Sequence, residues 1–408
     1  MQPGAMRSIP MRWEDVEHLG SVGAVALGHH LGAASGVRHE AIVAGTTART
    51  VGGIKISSRG HVVGARMTAT GRREGQPMGI CDASCMPAIL VVATRGQCVE
   101  TRHQIVAVRT HRDGKVERFG EASLAFPVRS IVKPIQAVAL LRSEAGIGLS
   151  QERIAIAASS HNGQSVHVAT VLQWLDDLGL IEDDLLCPAA VPLVDVHADE
   201  YRRDGRAPRR AVHNCSGKHA GFLAQSLAAG SSSRDYLSVG GTVQRGVMAI
   251  LGDACRHRIT ADMIAGDGCG APVACLSLEA VSQGLLSLCP GGDNEQEGGL
   301  ILGAMRSHSF LVAGDYRFDT RVVGALQGTC VSKVGADGLH VAVLPDTGIA
   351  LAVKALDGSR RAAEVALAHL LIETTDASVE DLSSIVDMSV RDDAGVIVGE
   401  LQVRVDVA

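Results

Sequence analysis

The sequence predicts an α+β fold in which one mainly antiparallel sheet is covered by helices. Strand patterns occur near residue 90 and again beyond residue 338, while helical patterns dominate the segment between them. Strands at both ends around a helical middle are typical of an antiparallel sheet with helices packed on it. We find no internal repeat, so a repeat architecture is not expected.

The first strands are predicted just after Pro87. Residues 88–94 and 105–109 are short apolar runs, and Asp113-Gly114 is a typical hairpin turn before residues 116–119. These features indicate an antiparallel strand meander at the start of the domain.

Helical spacing of apolar residues follows, and strand alternation then returns toward the C-terminus. The predicted helices span residues 130–142, 165–178, 219–227, 242–251, 276–288 and 361–372, and the later strands span residues 338–344, 348–355 and 396–405.

Composition excludes several classes of function. The 408 residues carry 38 Lys+Arg against 44 Asp+Glu, a formal charge of -6, so neither nucleic acid nor an anionic membrane is an expected partner. Apolar stretches are interrupted by Gly, His or charge, which predicts no membrane-spanning helix. Ten cysteines are too few for a disulfide scaffold. The N-terminus shows no clean secretory signal, so a cytoplasmic protein with reduced thiols is expected.

The chain divides into two predicted parts. Residues 1–87 hold 14 of the 47 glycines and show no sustained periodicity, which favours a poorly ordered extension without catalytic groups. A small appended domain is the alternative. Residues 88–408 are the predicted catalytic domain.

Ser130 and Lys133 form the most distinctive local pattern, Ser-x-x-Lys at the start of a predicted helix. Their spacing puts both side chains on one helix face. A serine hydroxyl needs a nearby base to act as a nucleophile, and a lysine can be that base when burial lowers its pKa. The helix N-terminus also offers backbone N–H groups to an oxyanion. An N-capping serine beside a surface lysine is the plain structural alternative.

Two later patterns support a catalytic interpretation. Ser160-x-Asn162 ends an apolar run, and Lys333-x-Gly335 precedes a strand pair. Ser-x-x-Lys, Ser-x-Asn and Lys-x-Gly occur in this order in serine β-lactamases and penicillin-binding proteins. In such an acyl transfer one Ser–Lys couple supplies nucleophile and base, and a second passes a proton to the leaving amine.

Two cysteines lie beside glycines in predicted turns. Cys215 precedes Ser-Gly-Lys-His, and Cys269 lies in Asp-Gly-Cys-Gly-Ala-Pro. Two thiolates and a nearby nitrogen could hold a soft divalent metal such as zinc. Since more than fifty residues separate them, two ordinary buried thiols are the alternative from spacing alone.

These segments together resemble the asparaginase II family of the Rhizobium etli type, also called class 3 L-asparaginases. The resemblance runs from about Leu90 to the C-terminus and implies a serine β-lactamase/glutaminase-like fold. The matching stretches are residues 126–133, 159–163, 213–222, 267–272, 317–320 and 333–338.

The resemblance implies a role for individual residues. Ser130 would be the nucleophile with Lys133 as its base, and Ser160 would pair with Lys333. Zinc would be held by Cys215, Lys218 and Cys269, together with a water. Asp267 would bind the α-ammonium group of the substrate and Arg129 its α-carboxylate, with Asn162 and His219 as further substrate-binding candidates.

The chain departs from the family pattern at three places in the catalytic domain, and residues 1–87 have no counterpart in that pattern. The segment between Pro272 and Met305 is short, which makes Lys354 the alternative to Lys333. Val212-His213 precedes Asn214-Cys215 where the family usually shows a second Asn before the cysteine. Residues 230–241 are rich in Ser and Gly where the family tends to carry a turn that contains Pro and His. These changes concern the loops around the site more than its reacting groups.

The expected activity is hydrolysis of L-asparagine to L-aspartate and ammonia by a cytoplasmic, homodimeric, zinc-containing amidohydrolase. A glutaminase or a β-lactamase-like serine acyl hydrolase is one alternative, because a pocket discriminates one methylene by only about 1–3 kcal/mol. A non-catalytic protein that binds zinc or an amino acid is the other.

Overall fold

The structure is a computed structural model that describes residues 88–406. The predicted extension over residues 1–87 lies outside the described residues. The strands are β1 (Ala88–Arg95), β2 (Cys98–His111), β3 (Val116–Phe119), β4 (Ala125–Pro127), β5 (Ile264–Gly266), β6 (Pro272–Ser277), β7 (Val331–Val334), β8 (Leu339–Leu344), β9 (Ile349–Ala355), β10 (Ser389–Arg391) and β11 (Ile397–Asp406).

The helices lie mainly between β4 and β7. None of those in the described residues combines the length and the apolar character needed to cross a bilayer. They are α1 (Lys133–Arg142), α2 (Gln151–Ala157), α3 (Ser165–Asp177), α4 (Asp195–Arg203), α5 (Ser216–Ala228), α6 (Thr242–Ala254), α7 (Leu278–Leu286), α8 (Glu295–Ser307), α9 (Ser309–Val312), α10 (Phe318–Ala325), α11 (Arg360–Thr374) and α12 (Val379–Ser383).

An eight-stranded antiparallel sheet forms the centre of the described region. Its strand order is β10-β11-β1-β2-β9-β8-β7, with β3 paired to β2. The first and last long strands are neighbours, since Val91 of β1 is opposite Val403 of β11. The predicted turn at Asp113-Gly114 joins β2 to β3. The α+β prediction with a mainly antiparallel sheet is therefore confirmed.

Both faces of the sheet are covered at residues 105–108 of β2 and along β8 and β9, which explains why these stretches are largely apolar. Val106 and Val108 of β2 pack into the core that contains α1, α2, α5, α6, α7 and α8. Ile105 and Ala107 point to the other face, where they pack with residues of α10 and α11. Alternate residues of one strand thus stabilise two separate apolar layers.

Two of the predicted helices begin later in the structure than the sequence predicts. The helix predicted over residues 276–288 begins only at Leu278, because residues Pro272–Ser277 form β6; Ser277 then caps α7 by accepting a hydrogen bond from the Ala280 N–H. The helix predicted from Ser130 begins at Lys133, preceded by a 3-10 turn over Arg129–Val132. The sequence prediction does not include helices α2, α4, α8, α9, α10 and α12 or strands β4, β5, β7 and β10.

A close approach of α2 and α5 brings distant segments together. A Cβ on Gly217, near the start of α5, would lie 2.2 Å from the Ile156 carbonyl oxygen of α2. Only glycine permits two helices to come this close at that point. The loop after α2, which carries Ser160, is thereby placed beside Cys215 at the start of α5.

Candidate active site

Ser130 lies in the 3-10 turn before α1 and faces a cavity of about 360 Å³. The cavity is bounded by the turn, several loops, the end of β7 and the start of α11, and both predicted serines, Ser130 and Ser160, line it. Its lining residues are Arg129, Ser130, Ser160, Leu193, His213, Asn214, Cys215, Asp267, Gly268, Cys269, Arg317, Val334, Gly335, Ala336, Asp337 and Arg360.

The Lys133 amine is buried behind this cavity, with 1% of the residue exposed. Its Nζ donates to the Ser160 hydroxyl at 3.1 Å and to the Cys215 sulfur at 3.2 Å, and it also donates to the Ser159 carbonyl oxygen. Burial lowers the pKa of Lys133, although the nearby Cys215 sulfur opposes this effect. A buried amine with a lowered pKa gives up its proton more readily than a surface lysine, so it can act as a base.

Cys215 and Cys269 are buried thiols that influence each other's pKa. The hydrogen bond with Cys269 lowers the pKa of Cys215 well below its ordinary value, and the charges of Lys133 and Lys218 act in the same direction. The same hydrogen bond, together with burial, raises the pKa of Cys269. Each sulfur atom also contacts a buried amine, since Lys133 Nζ lies 3.2 Å from the Cys215 sulfur and Lys218 Nζ lies 3.2 Å from the Cys269 sulfur.

Lys218 completes a group of two sulfur atoms and one nitrogen. Its Nζ is 3.2 Å from the Cys269 sulfur, and one turn of α5 separates it from Cys215. Within residues 88–406 no three His, Cys, Asp or Glu side chains cluster as metal ligands, so a metal here requires the lysine as third protein ligand. The two thiols are ligands that zinc prefers, whereas the lysine would have to lose its proton to the metal: burial would lower the pKa of Lys218, but Cys215 and Cys269 raise it overall.

Arg129 and Asp267 form an ion pair at the cavity. Arg129 Nε lies 2.6 Å from Asp267 Oδ1, and Arg129 Nη1 also binds Asp337. Burial alone would raise the pKa of Asp267, but the charges of Lys218 and Arg129 lower it overall. Arg129 has a positive φ of 47°, an unfavourable backbone conformation for a residue with a side chain, directly before Ser130.

Hydrogen bonds to both backbone polar groups of Ser160 fix its position in the loop after α2. The Ser160 N–H donates to the Val312 carbonyl at 3.0 Å, and its own carbonyl accepts from Arg317 Nη1 at 3.1 Å. Asn162 is fully buried; its Oδ1 accepts from Arg317 Nη1 at 2.8 Å, and its Nδ2 donates to the Asp315 carbonyl. Asn162 thus holds Arg317 in place from behind the cavity.

Lys333 is buried in β7, where its Nζ donates to the Val334 carbonyl at 2.7 Å. Burial lowers the pKa of Lys333 well below its ordinary value, and the charge of Lys133 contributes to this lowering, whereas Asp319 opposes it. In the described part of the chain Ser160 is hydrogen-bonded to Lys133 and not to Lys333. Lys133 and Lys333 are close enough for their charges to interact, but the amine that contacts Ser160 is that of Lys133.

Asp319 provides the buried negative charge beside Lys333. Its Oδ1 accepts from Ser332 Oγ and lies 2.8 Å from His340 Nε2, and its Oδ2 accepts from the Val334 N–H at 3.0 Å. Burial would raise the pKa of Asp319, but His340, Lys333 and Arg317 hold it well below its ordinary value. This carboxylate fixes the strand that carries Lys333.

Besides the buried lysines at 133, 218 and 333, three further predicted residues do not line the cavity. His219 is fully buried in α5, with Nδ1 2.8 Å from the Tyr236 hydroxyl, and neither it nor Asn162 lines the cavity. Lys354, the alternative to Lys333, is less buried and donates to the Asp337 carbonyl. Any contribution of these three residues to substrate binding would pass through the residues that they hold.

Sequence reasoning assigned no role to Arg317, Asp337 or Arg360, all of which line the cavity. Arg317 belongs to the stretch 317–320 that carries the family resemblance, so the sequence contained a signal for it. Arg317 differs from most arginines in being buried, since only 1% of the residue is exposed. An arginine is seldom buried, and no local pattern indicates when it is.

Solved structures of several proteins are similar to this chain at low sequence identity. Some solved structures are similar at 12% identity: one titled "Crystal Structure Analysis of Mglu" (TM-score 0.38, 66% of this chain and 66% of that chain), a β-lactamase/D-alanine carboxypeptidase from Pseudomonas syringae (0.36, 66% and 93%), and the Bacillus subtilis glutaminase YbgJ in covalent complex with 5-oxo-L-norleucine (0.33, 68% and 89%). At these TM-scores the likenesses support no conclusion about chemistry.

The chain spans 59–66% of the length of the Mglu chains. No curated protein matches it. The profile of the L-asparaginase II family, in contrast, matches residues 91–403, which cover nearly all of the described region. The protein belongs to the L-asparaginase II family.

Proposed function

We propose that the protein is an amidohydrolase that converts L-asparagine and water to L-aspartate and ammonia. Family membership supports an amide substrate. The observation that carries the proposal is the buried Lys133 amine, 3.1 Å from the Ser160 hydroxyl at the wall of the cavity that Ser130 also lines. A base, two hydroxyl groups and charged residues around one small space suit acyl transfer from a free amino acid.

Acylation begins with attack of Ser130 Oγ on the side-chain amide carbon of asparagine. The neutral Lys133 amine takes the hydroxyl proton as the C–O bond forms. Collapse of the tetrahedral intermediate breaks the C–N bond, and the nitrogen takes a proton from Lys133 through the Ser160 hydroxyl. Ammonia leaves, and the aspartyl group remains as an ester on Ser130.

Deacylation repeats these steps with water. Lys133 accepts a proton from the water as its oxygen attacks the ester carbon, and the proton then returns to Ser130 Oγ as the ester bond breaks. Lys333, the predicted partner of Ser160, contributes a second buried amine whose lowered pKa favours its neutral form. L-aspartate leaves, and the hydroxyl and amine groups regain their starting states.

Charged residues of the cavity would select a free amino acid. Asp267 is proposed to bind the α-ammonium group, since its carboxylate lines the cavity and is held ionised by its neighbours. For the α-carboxylate the cavity offers more than one guanidinium group, of which the sequence predicts Arg129.

Zinc is proposed to bind Cys215, Lys218 and Cys269, with the lysine as a neutral ligand. When bound, it would supply Lewis-acid polarisation of an oxygen of the substrate. The positions of the three side chains support this assignment, because Lys218 Nζ lies 3.2 Å from the Cys269 sulfur and one helix turn from Cys215.

We expect Cys269→Ser to lose most of the bound zinc of the purified protein, because the hard hydroxyl replaces a soft thiolate ligand. Metal content per chain, measured by mass spectrometry of the native protein, is the readout. Cys98→Ser is the matched control, since Cys98 is an exposed free thiol. Equal zinc content in both variants would contradict the site.

The homodimer and the cytoplasmic location remain proposals for this protein, as does its placement in the Rhizobium etli type. Light scattering of the purified chain tests the first, because a dimer doubles the monomer mass of 42.4 kDa.

The function is tested by ammonia release from L-asparagine, L-glutamine and a panel of β-lactams. We expect wild type to release ammonia from asparagine and Ser130→Ala to lose at least about 10³-fold in kcat, because the nucleophile is missing. Ser238→Ala, an exposed serine outside the site, is the control. Turnover of β-lactams alone would favour the β-lactamase-like alternative, and full activity in Ser130→Ala would exclude the proposed acyl-enzyme.

A further inference from the structure

The cavity contains three guanidinium groups, whereas an amino acid has a single α-carboxylate. Arg129, Arg317 and Arg360 all line it. Electrostatic attraction alone does not choose among them, because each carries a full positive charge. The choice depends on which group already has a carboxylate partner within the protein.

Two of the three arginines already bind carboxylates. Arg129 donates from Nε to Asp267 and from Nη1 to Asp337, so both sides of its guanidinium are engaged. Arg360 lies on the more exposed side of the cavity and donates from Nε to Glu364 at 2.8 Å. A substrate carboxylate would compete with these partners for either group.

Arg317 has a different set of partners. Both of its hydrogen bonds come from Nη1 and end on neutral oxygens, the Ser160 carbonyl and Asn162 Oδ1. Within residues 88–406 its guanidinium forms no ion pair. The adjacent carboxylate of Asp319 is occupied by Ser332, His340 and the Val334 N–H.

A buried cation without a directly bound anion is costly, and a ligand anion relieves that cost. Burial lowers the pKa of Arg317 to about 10, so the group is still charged at neutral pH. Its Nε and Nη2 donors are not used by the two hydrogen bonds, and together they form the planar edge that binds a carboxylate through two parallel bonds.

We propose that Arg317 binds the α-carboxylate of the amino-acid substrate, while Arg129 orients Asp267 for the α-ammonium group. This inference rests on the proposed function and names the specificity-determining residue of the same site. Because Nη1 of Arg317 lies 3.1 Å from the Ser160 carbonyl, the bound carboxylate would be near the second hydroxyl of the site.

The test compares L-asparagine with 3-aminopropanamide, which has the same amide and amine but no α-carboxylate. We expect Arg317→Met to lose about 10- to 100-fold more kcat/KM on asparagine than on 3-aminopropanamide, mainly through KM, because only asparagine uses the guanidinium. Arg245→Met, an exposed arginine outside the site, is expected to match wild type on both substrates.

Arg129→Met is the discriminating variant. If it shows the selective loss and Arg317→Met loses equally on both substrates, Arg129 is the carboxylate residue and the inference is overturned. Should Arg317→Met not fold, Arg317→Lys keeps the charge but not the two-donor edge, and the same selective loss is expected. An equal loss on both substrates in the lysine variant would also overturn the inference.

Calorimetry separates this inference from the proposed function. L-aspartate carries the α-carboxylate and β-alanine does not, so wild type should bind the first more tightly and Arg317→Met should lose that preference. Preferential aspartate binding without ammonia release would overturn the function and leave the inference intact. Ammonia release with an unchanged preference in Arg317→Met would overturn the inference alone.

Discussion

We expect Lys133→Met to hydrolyse L-asparagine about 10²- to 10⁴-fold more slowly than wild type, the range for loss of a general base. The Lys133 amine contacts the Ser160 hydroxyl and the Cys215 sulfur at once, so no surface group can replace it. Methionine has a similar length and no ionisable group. The measurement is steady-state ammonia release, with kcat and KM determined separately.

Lys115→Met is the matched control, because this lysine is mostly exposed in the turn between β2 and β3 and does not line the cavity. Lys333→Met distinguishes the two buried amines. A kcat for Lys133→Met within a few-fold of wild type, together with a large loss in Lys333→Met, would assign the base to Lys333 instead.

The second large effect concerns stability. We expect Asp319→Ala to lower the free energy of unfolding by about 3–5 kcal/mol, the range for breaking a buried charge pair. Removal of this carboxylate leaves His340, the Ser332 hydroxyl and the Val334 N–H without their common acceptor. Urea unfolding followed by circular dichroism measures the change.

Asp346→Ala provides the comparison, since Asp346 is exposed in the turn between β8 and β9 and should change the free energy of unfolding by less than about 0.5 kcal/mol. Because folding lowers the pKa of Asp319, its stabilisation is present above the pKa of the unfolded carboxyl and disappears as the pH falls toward the lower folded value. The difference between the two variants should therefore shrink in acid. Equal unfolding midpoints at neutral pH would contradict the role of Asp319.

Local sequence patterns were sufficient for much of the secondary structure. The turn at Asp113-Gly114, the apolar strands β8 and β9 and the amphipathic helix α11 occur where periodicity predicts them. The start of α7 differs from the prediction because Leu276 fits the helical spacing of apolar residues, although the helix is capped by Ser277 and begins at Leu278. Helix α8 was missed because glycines at 298, 299 and 303 interrupt its pattern.

For the candidate site, the sequence likewise predicts the functional residues but not the contacts between them. Ser130, Ser160, Cys215, Asp267 and Cys269 were singled out from sequence motifs, and all of them line one cavity. The partner of each group was not predictable, since hydrogen bonds depend on distances between segments far apart in sequence. Lys133 contacting Ser160 is the clearest instance.

By itself, the sequence determined which chemical groups this protein possesses and which segments become strands and helices, because residue type and periodicity are local properties. Tertiary structure alone decided which amines lose water, which arginine is left without a carboxylate, and which hydroxyl meets which lysine. The physical reason is that desolvation and hydrogen bonding act through space, and the packing of α2 against α5 and of β7 against the helical layer sets those distances.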